Sequence, residues 1–417
     1  MFKGITLFLL VYFLTQLLSV GQVPGFFMKE EKRKVTIPFN SSNSLIIIPV
    51  SINGSPPLNF LIDTGVRSNI LFSKNLGDAL ELEYTRRIKL VGADGTDDLW
   101  ASVSPINHFD LGPVEGIFQS LLVLEDEFLE LESVVGVPIY GIIGHEFFKF
   151  NPIKVNYDDA KMLFYRPNAL KWRPLLYRKV DMTIYENKPY ITTTVKQKDG
   201  SFIYPKLLID TGANHGLLLN RETSDQINMP PLILESSLGQ SLGGVLYGYI
   251  GRVDYMKFAN YKLDEVLTSY PDETPFSYVI KESGRMGSLG AEVLGRSRLV
   301  FDYPRNRLFV RKAENFYAPF DYDMSGMVLK KIPNDDNRIY VSEIRPGSPA
   351  HRAGLAVADE ILTINKVPTF IWELSEINKL LRSEAGKEIL LEVRRYEGND
   401  LTQWKDQQFS FVLRKQI

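Results

Sequence analysis

The chain has no cysteine among its 417 residues. That excludes disulfide bonds, thiolate nucleophiles and a lipidated-cysteine anchor. Histidine is nearly as scarce. The four present, His108, His145, His215 and His351, do not have the spacing of a metal site, and His145-Glu146 lacks the second histidine of a zinc-peptidase helix. A surplus of charge of one sign is missing too. The formal net charge is −2 and no long block of like charge appears, so no nucleic-acid partner is expected. Beyond the first twenty residues, no apolar run is long enough to cross a bilayer.

What is present is strand-forming material. Aromatic residues make up 12% and hydrophobic residues 44%, enough for real cores in the two or three domains that this length suggests. The first stretch reads as a targeting signal. Lys3 precedes an apolar run, residues 5–18, and Ser19-Val20-Gly21 supplies small residues for cleavage after Gly21. A signal at 1–21 implies export, to a periplasm or to the exterior. The alternative is an uncleaved anchor over residues 5–20, the one way in which a membrane would be a partner.

The rest of the chain is organised by a repeat. Leu61-Ile62-Asp63-Thr64-Gly65 returns as Leu208-Ile209-Asp210-Thr211-Gly212, the aspartates 147 residues apart (210 minus 63). Each copy follows one apolar run and precedes another, Ile70-Leu71-Phe72 and Leu217-Leu218-Leu219. This suits a buried strand entering a tight turn with a carboxylate at its tip. Before the first copy, residues 45–51 and 58–62 flank the hairpin signal Asn53-Gly54. Residues 190–196 and 204–209 flank Asp199-Gly200 before the second. An apolar run ending in glycine also recurs, at residues 138–144 and 286–290, with Gly144 and Gly290 offset by 146 (290 minus 144). After each comes a short helix, at 145–150 and 291–296, then a hairpin, at 154–165 and 299–310. Matched order and matched spacing mean an internal duplication. Two repeats are too few for a solenoid, so we expect a mostly β, two-lobed fold with pseudo-two-fold symmetry and a carboxylate pair at a shared cleft.

Residues 315–323 read as a linker. A different grammar follows: strands at 327–331, 339–344, 360–364, 388–395 and 408–414, with helices near 349–353 and 374–382. That is a small α+β domain able to fold alone.

The two Asp-Thr-Gly copies resemble the active-site triplets of aspartic peptidases of the pepsin and retropepsin type. Ile142-Ile143-Gly144 and Ser288-Leu289-Gly290 resemble the segment that passes behind each triplet in that fold. Arg345-Pro346-Gly347-Ser348-Pro349-Ala350, with Arg352-Ala353-Gly354-Leu355 and Asp359-Glu360-Ile361-Leu362-Thr363-Ile364-Asn365, resembles a PDZ domain of the bacterial type. Together the resemblances span residues 33–415 and are similar to exported bacterial aspartyl peptidases that carry a PDZ domain. The expected layout is a first lobe at 33–172, a second at 173–313, a linker at 314–323 and a PDZ-like domain at 324–415.

The resemblance implies an endopeptidase in which Asp63 and Asp210 share a proton and activate a water against a peptide carbonyl, without cofactor or metal. Gly65 and Gly212 would permit the close approach of the two loops. Thr64 and Thr211 would hydrogen-bond across the pair, the alternative being ordinary turn threonines. The chain departs from many two-lobed members in having Val66 and Ala213 after the triplets, where a hydroxyl is usual. Fewer hydrogen bonds to the charged form imply a carboxyl pair that keeps its proton to higher pH. Arg67, if it faced the cleft, would oppose this. Residues 88–103, turning at Ala93-Asp94-Gly95-Thr96, are the candidate flap, with Trp100 on the cleft. A surface hairpin over a buried tryptophan is the other reading. The glycine-rich residues 239–251 are the flap's candidate counterpart. His215 reads as a surface-loop histidine rather than one that tunes Asp210. Ser325, Gly326 and Met327 stand where PDZ domains cradle a terminal carboxylate, or form a plain turn. The partners expected are peptides or unfolded proteins, with a C-terminal peptide as possible PDZ ligand. A scaffold that binds extended peptides without cutting them is the rival reading.

Overall fold

The computed structural model describes residues 23–417 apart from 93–98, 127–129, 171–172, 334–337 and 398–399. The expected signal at 1–21 and the expected flap tip at 93–96 lie outside the described residues. No helix among those described is long and apolar enough to cross a membrane.

The fold is mostly β, and its symmetry follows the repeat. In the first lobe, Leu45–Ile52 and Leu58–Ile62 form a hairpin over Asn53 and Gly54, both at positive φ, as an Asn-Gly turn requires. Gly141–Ile143 lies parallel to Leu58–Ile62 and antiparallel to Asn69–Leu71. In the second lobe, Gly287–Leu289 lies parallel to Lys206–Ile209 and antiparallel to Leu217–Leu219. The runs before the triplets are apolar because these strands are buried on both faces. A six-stranded sheet joins the lobes, with Ile153–Asn156 of one paired to Ser297–Asp302 of the other. One continuous core therefore includes Ile62, Ile143, Ile209 and Leu289.

Three details differ from the sequence reading. The first lobe starts earlier, because Gly25–Met28 pairs with Val114–Leu124 and buries Phe26. The hairpin before Asp210 is split between two sheets. Lys188–Thr192 pairs with Lys206–Ile209 in one, and Val195–Lys196 with Phe202–Ile203 in the other. The break falls at Pro205, which has no N–H to donate to the ladder. The segment read as a linker is packed rather than loose. Phe316 and Phe320 are 1% and 3% exposed within the main core. The Arg296 guanidinium lies 3.6 Å from the Phe320 ring centroid and donates to the Pro319 carbonyl at 3.0 Å.

The C-terminal domain has its own core, built around Met327, Val341, Ile361, Ile377 and Val393. Its strand order begins at the edge with Met327–Lys331, then Ile339–Ile344, then Glu360–Ile364. It is docked on both lobes. The first-lobe helix Glu130–Val135 lies against Met327–Lys331. The Gly136 backbone packs on Leu374, so closely that a Cβ there would sit 2.8 Å from the Leu374 Cβ. From the second lobe, Ser237 donates to Glu343 at 3.1 Å.

Candidate active site

Each triplet leaves its central strand at the same point. The Asp63 amide donates to the Ile143 carbonyl and the Asp210 amide to the Leu289 carbonyl, both at 3.0 Å. The segments behind the triplets thus fix where each carboxylate starts. The threonines lock the loops together. Thr64 Oγ1 donates to the Ile209 carbonyl at 2.7 Å, and Thr211 Oγ1 to the Ile62 carbonyl at 2.8 Å. Each hydroxyl also accepts from the other threonine's amide at 3.1 Å. Both threonines are fully buried, so these are structural bonds across the interface, not turn bonds within one loop.

The glycines explain themselves by distance. A Cβ on Gly212 would lie 2.2 Å from Asp63 Oδ2, and one on Gly65 would lie 2.9 Å from Asp210 Oδ2. Each carboxylate therefore presses on the opposite triplet. The Gly65 amide donates to Asp63 Oδ1 at 2.6 Å, and the Gly212 amide to Asp210 Oδ1 at 3.1 Å. Asp63 and Asp210 are within hydrogen-bonding reach of each other. Burial, followed by the charge of Asp210, raises the Asp63 carboxyl well above its ordinary range, against the opposing pull of the Gly65 amide and the Lys188 ammonium. All six residues expected at the pair are thus brought together.

The surroundings correct several expectations. Arg67 turns outward to pair with Glu186 and is not the cation acting on Asp63. Lys188 is, at the start of the strand Lys188–Thr192 that pairs with Lys206–Ile209, with its own ammonium held low by burial. Arg285 also lines the cavity at the pair. Neither is marked out by the sequence, because both come from strand and turn positions remote from the triplets. His215 is not a surface-loop residue. It lines the same cavity and bonds Ser288 Oγ through Nε2 at 2.9 Å, and burial lowers its basicity while Asp210 opposes this. Behind the pair, the buried Tyr303 phenol is raised by burial and by the charges of both aspartates.

Two hairpins overhang a cavity of about 360 Å³ around the carboxylates. In the first lobe, Arg86–Leu90 pairs with Leu99–Asp110, and Val91 and Gly92 line the cavity. Trp100 is neither buried nor among the lining residues. It is 38% exposed beneath the Arg87 guanidinium, 4.8 Å from its ring centroid. In the second lobe, Leu234–Ser241 pairs with Gly244–Arg252, as expected of a counterpart. Its tip residue Leu242 reaches across to pack on the first-lobe cluster of Leu45, Leu61, Phe72 and Ile142.

The expected carboxylate cradle of the C-terminal domain is already filled. Asp323 Oδ1 accepts from the Ser325 amide and hydroxyl at 3.1 and 2.6 Å, and Oδ2 accepts from the Gly326 amide at 2.6 Å. The Met327 amide donates to Ser325 Oγ at 3.1 Å. The role expected for Ser325, Gly326 and Met327 in holding a ligand's terminal carboxylate is therefore corrected: the Ser325 and Gly326 N–H groups serve an internal one, and the Met327 N–H serves the Ser325 hydroxyl.

Residues 48–147 match the family model described as an aspartyl protease, a span that includes Asp63 and Ile142-Ile143-Gly144. Residues 340–395 match the model of the PDZ domain. No curated protein matches the chain.

Proposed function

With an aspartyl protease domain and a PDZ domain in one chain, we propose that the protein is an exported endopeptidase that cuts extended or unfolded polypeptide through Asp63 and Asp210. The observation that carries this reading is the reciprocal Thr64–Thr211 bonding, which holds the buried Asp63 carboxyl and the half-buried Asp210 carboxyl face to face. Like charges so close cannot both ionise easily, so the pair shares one proton. The ionised member takes a proton from a water between them while the protonated member donates to the scissile carbonyl oxygen. No covalent intermediate is needed. Because the two carboxyls share one proton, acid and base are roles of the pair rather than of either residue. The two overhanging hairpins exclude bulk water and hold the substrate extended.

The test is cleavage of an unfolded protein by the purified chain, with loss in Asp63→Asn and block by a statine-type inhibitor. Because burial raises Asp63, the rate should peak in mildly acidic solution. A profile peaking below about pH 3 contradicts the raised carboxyl. A wild-type chain that binds peptide and never cuts it across the acidic to neutral range identifies a non-catalytic binding scaffold instead.

A further inference from the structure

Two cations share the cavity with the carboxylate pair. In the strand Lys188–Thr192, Tyr190 faces Leu208 and Ile191 faces Leu207. Continuing that antiparallel register by two residues sets Lys188 opposite Asp210. Arg285 comes from the turn between the helix Ser277–Glu282 and the strand Gly287–Leu289. Both side chains line the same cavity as Asp63 and Asp210. Neither forms an ion pair among the described residues. The Arg285 Nε is buried without a hydrogen-bond partner. The two cations also repel each other, and after burial the Arg285 charge is what most holds the Lys188 ammonium low. Asp272, the remaining acid on the cavity wall, is exposed and pairs with neither.

Charge in this cavity does not balance without a substrate. With one proton shared, Asp63 and Asp210 carry one negative charge against two positive ones. Lys188 answers that charge, since its ammonium favours the ionised Asp63. Arg285 is then in surplus. A cation withdrawn from water without a partner is costly, and a guanidinium does not escape that cost by losing its proton. A carboxylate arriving beside Lys188 and Arg285 would remove the repulsion between them, and the guanidinium fork would hold it by two parallel bonds. We propose that Arg285 is a specificity-determining residue, binding the side-chain carboxylate of an Asp or Glu close to the scissile bond of the substrate. A Lys or Arg at the same substrate position would meet two like charges, so the cavity selects against basic residues as well as for acidic ones. The assignment rests on the endopeptidase reading and names its substrate class: extended polypeptide with an acidic residue at the cut.

The probes are short peptides built on a site at which the wild type cuts unfolded casein, with Glu, Gln or Lys placed in turn at each position around the scissile bond. At about pH 6 the substrate glutamate is ionised. At one position the Glu peptide should be cut with kcat/KM about tenfold or more above its Gln counterpart, and the Lys peptide should be the poorest. Arg285→Gln should bring the Glu-to-Gln ratio near one, and Arg285→Glu should reverse the order in favour of the Lys peptide, each variant keeping the circular dichroism spectrum of the wild type. Amidating the peptide C-termini should leave the ratio unchanged. The absence of a Glu preference at every position overturns the proposal, as does a preference that survives Arg285→Gln or one that needs a free C-terminal carboxylate. Binding of overlapping casein peptides, in Glu and Gln versions, to the full-length Asp63→Asn chain separates the two readings. If the wild type cuts no casein the endopeptidase reading falls, while equal binding of the Glu and Gln versions overturns the role of Arg285 alone.

Discussion

Asp63 is an unusual residue to keep. Its folded carboxyl holds a proton more tightly than the ordinary value of 3.8, first through burial and then through Asp210. The native state therefore binds more protons than the unfolded state as pH rises above that value, so stability falls until the raised carboxyl itself titrates. Asp63→Asn should cost at least about a thousandfold in rate and yet raise the melting temperature at pH 7. That gain should vanish as the pH falls to 3.8, which thermal unfolding at a series of pH values would reveal. Lys188 acts in the opposite direction, since its ammonium favours the ionised carboxyl. Lys188→Met should move the alkaline limb of kcat/KM to higher pH while the Thr64–Thr211 bonding stays intact. An unmoved limb would show that Lys188 does not reach the pair in solution.

Among the elements, the two overhanging hairpins divide the work unequally. The second-lobe hairpin, Leu234–Ser241 with Gly244–Arg252, crosses the cleft and anchors Leu242 on apolar residues of the first lobe. Leu242→Ser would remove part of one buried leucine contact, worth about 1 kcal/mol. If this contact sets the closed state, KM should rise roughly fivefold with a smaller change in kcat, read from initial rates on a fixed peptide. The strands behind the triplets have no such tolerance. A Cβ at Gly287 would lie 1.8 Å from the Leu218 carbonyl oxygen, which is why glycine begins that short strand. Its neighbour Ser288 faces His215, whereas Ile142, its counterpart in the repeat, packs in an apolar cluster. The duplication has kept the backbone and let the side chains around the pair diverge.

For the whole molecule, the segment between second lobe and PDZ domain decides where one ends. A chain cut after residue 323 keeps Phe316 and Phe320 in the main core, while one cut after 313 loses both. Each buried phenylalanine contributes roughly 2 kcal/mol, so the shorter chain should unfold at distinctly lower urea than the longer one. Equal midpoints would mean that residues 314–323 are only a tether.

The Asp-Thr-Gly repeat, the glycine runs behind it and the strand-and-helix order of the last domain were legible in the sequence because each rests on local backbone demands: a tight turn, a close approach, an apolar run buried on both faces. Those demands fixed the fold class and the carboxylate pair. The cation at the pair, the outward turn of Arg67, the inward turn of His215 and the filling of the PDZ cradle by Asp323 were settled only by tertiary structure. In each case the partner lies on another element or the outcome depends on which face the turn presents, and a side chain's charge says nothing of the direction in which the fold will point it.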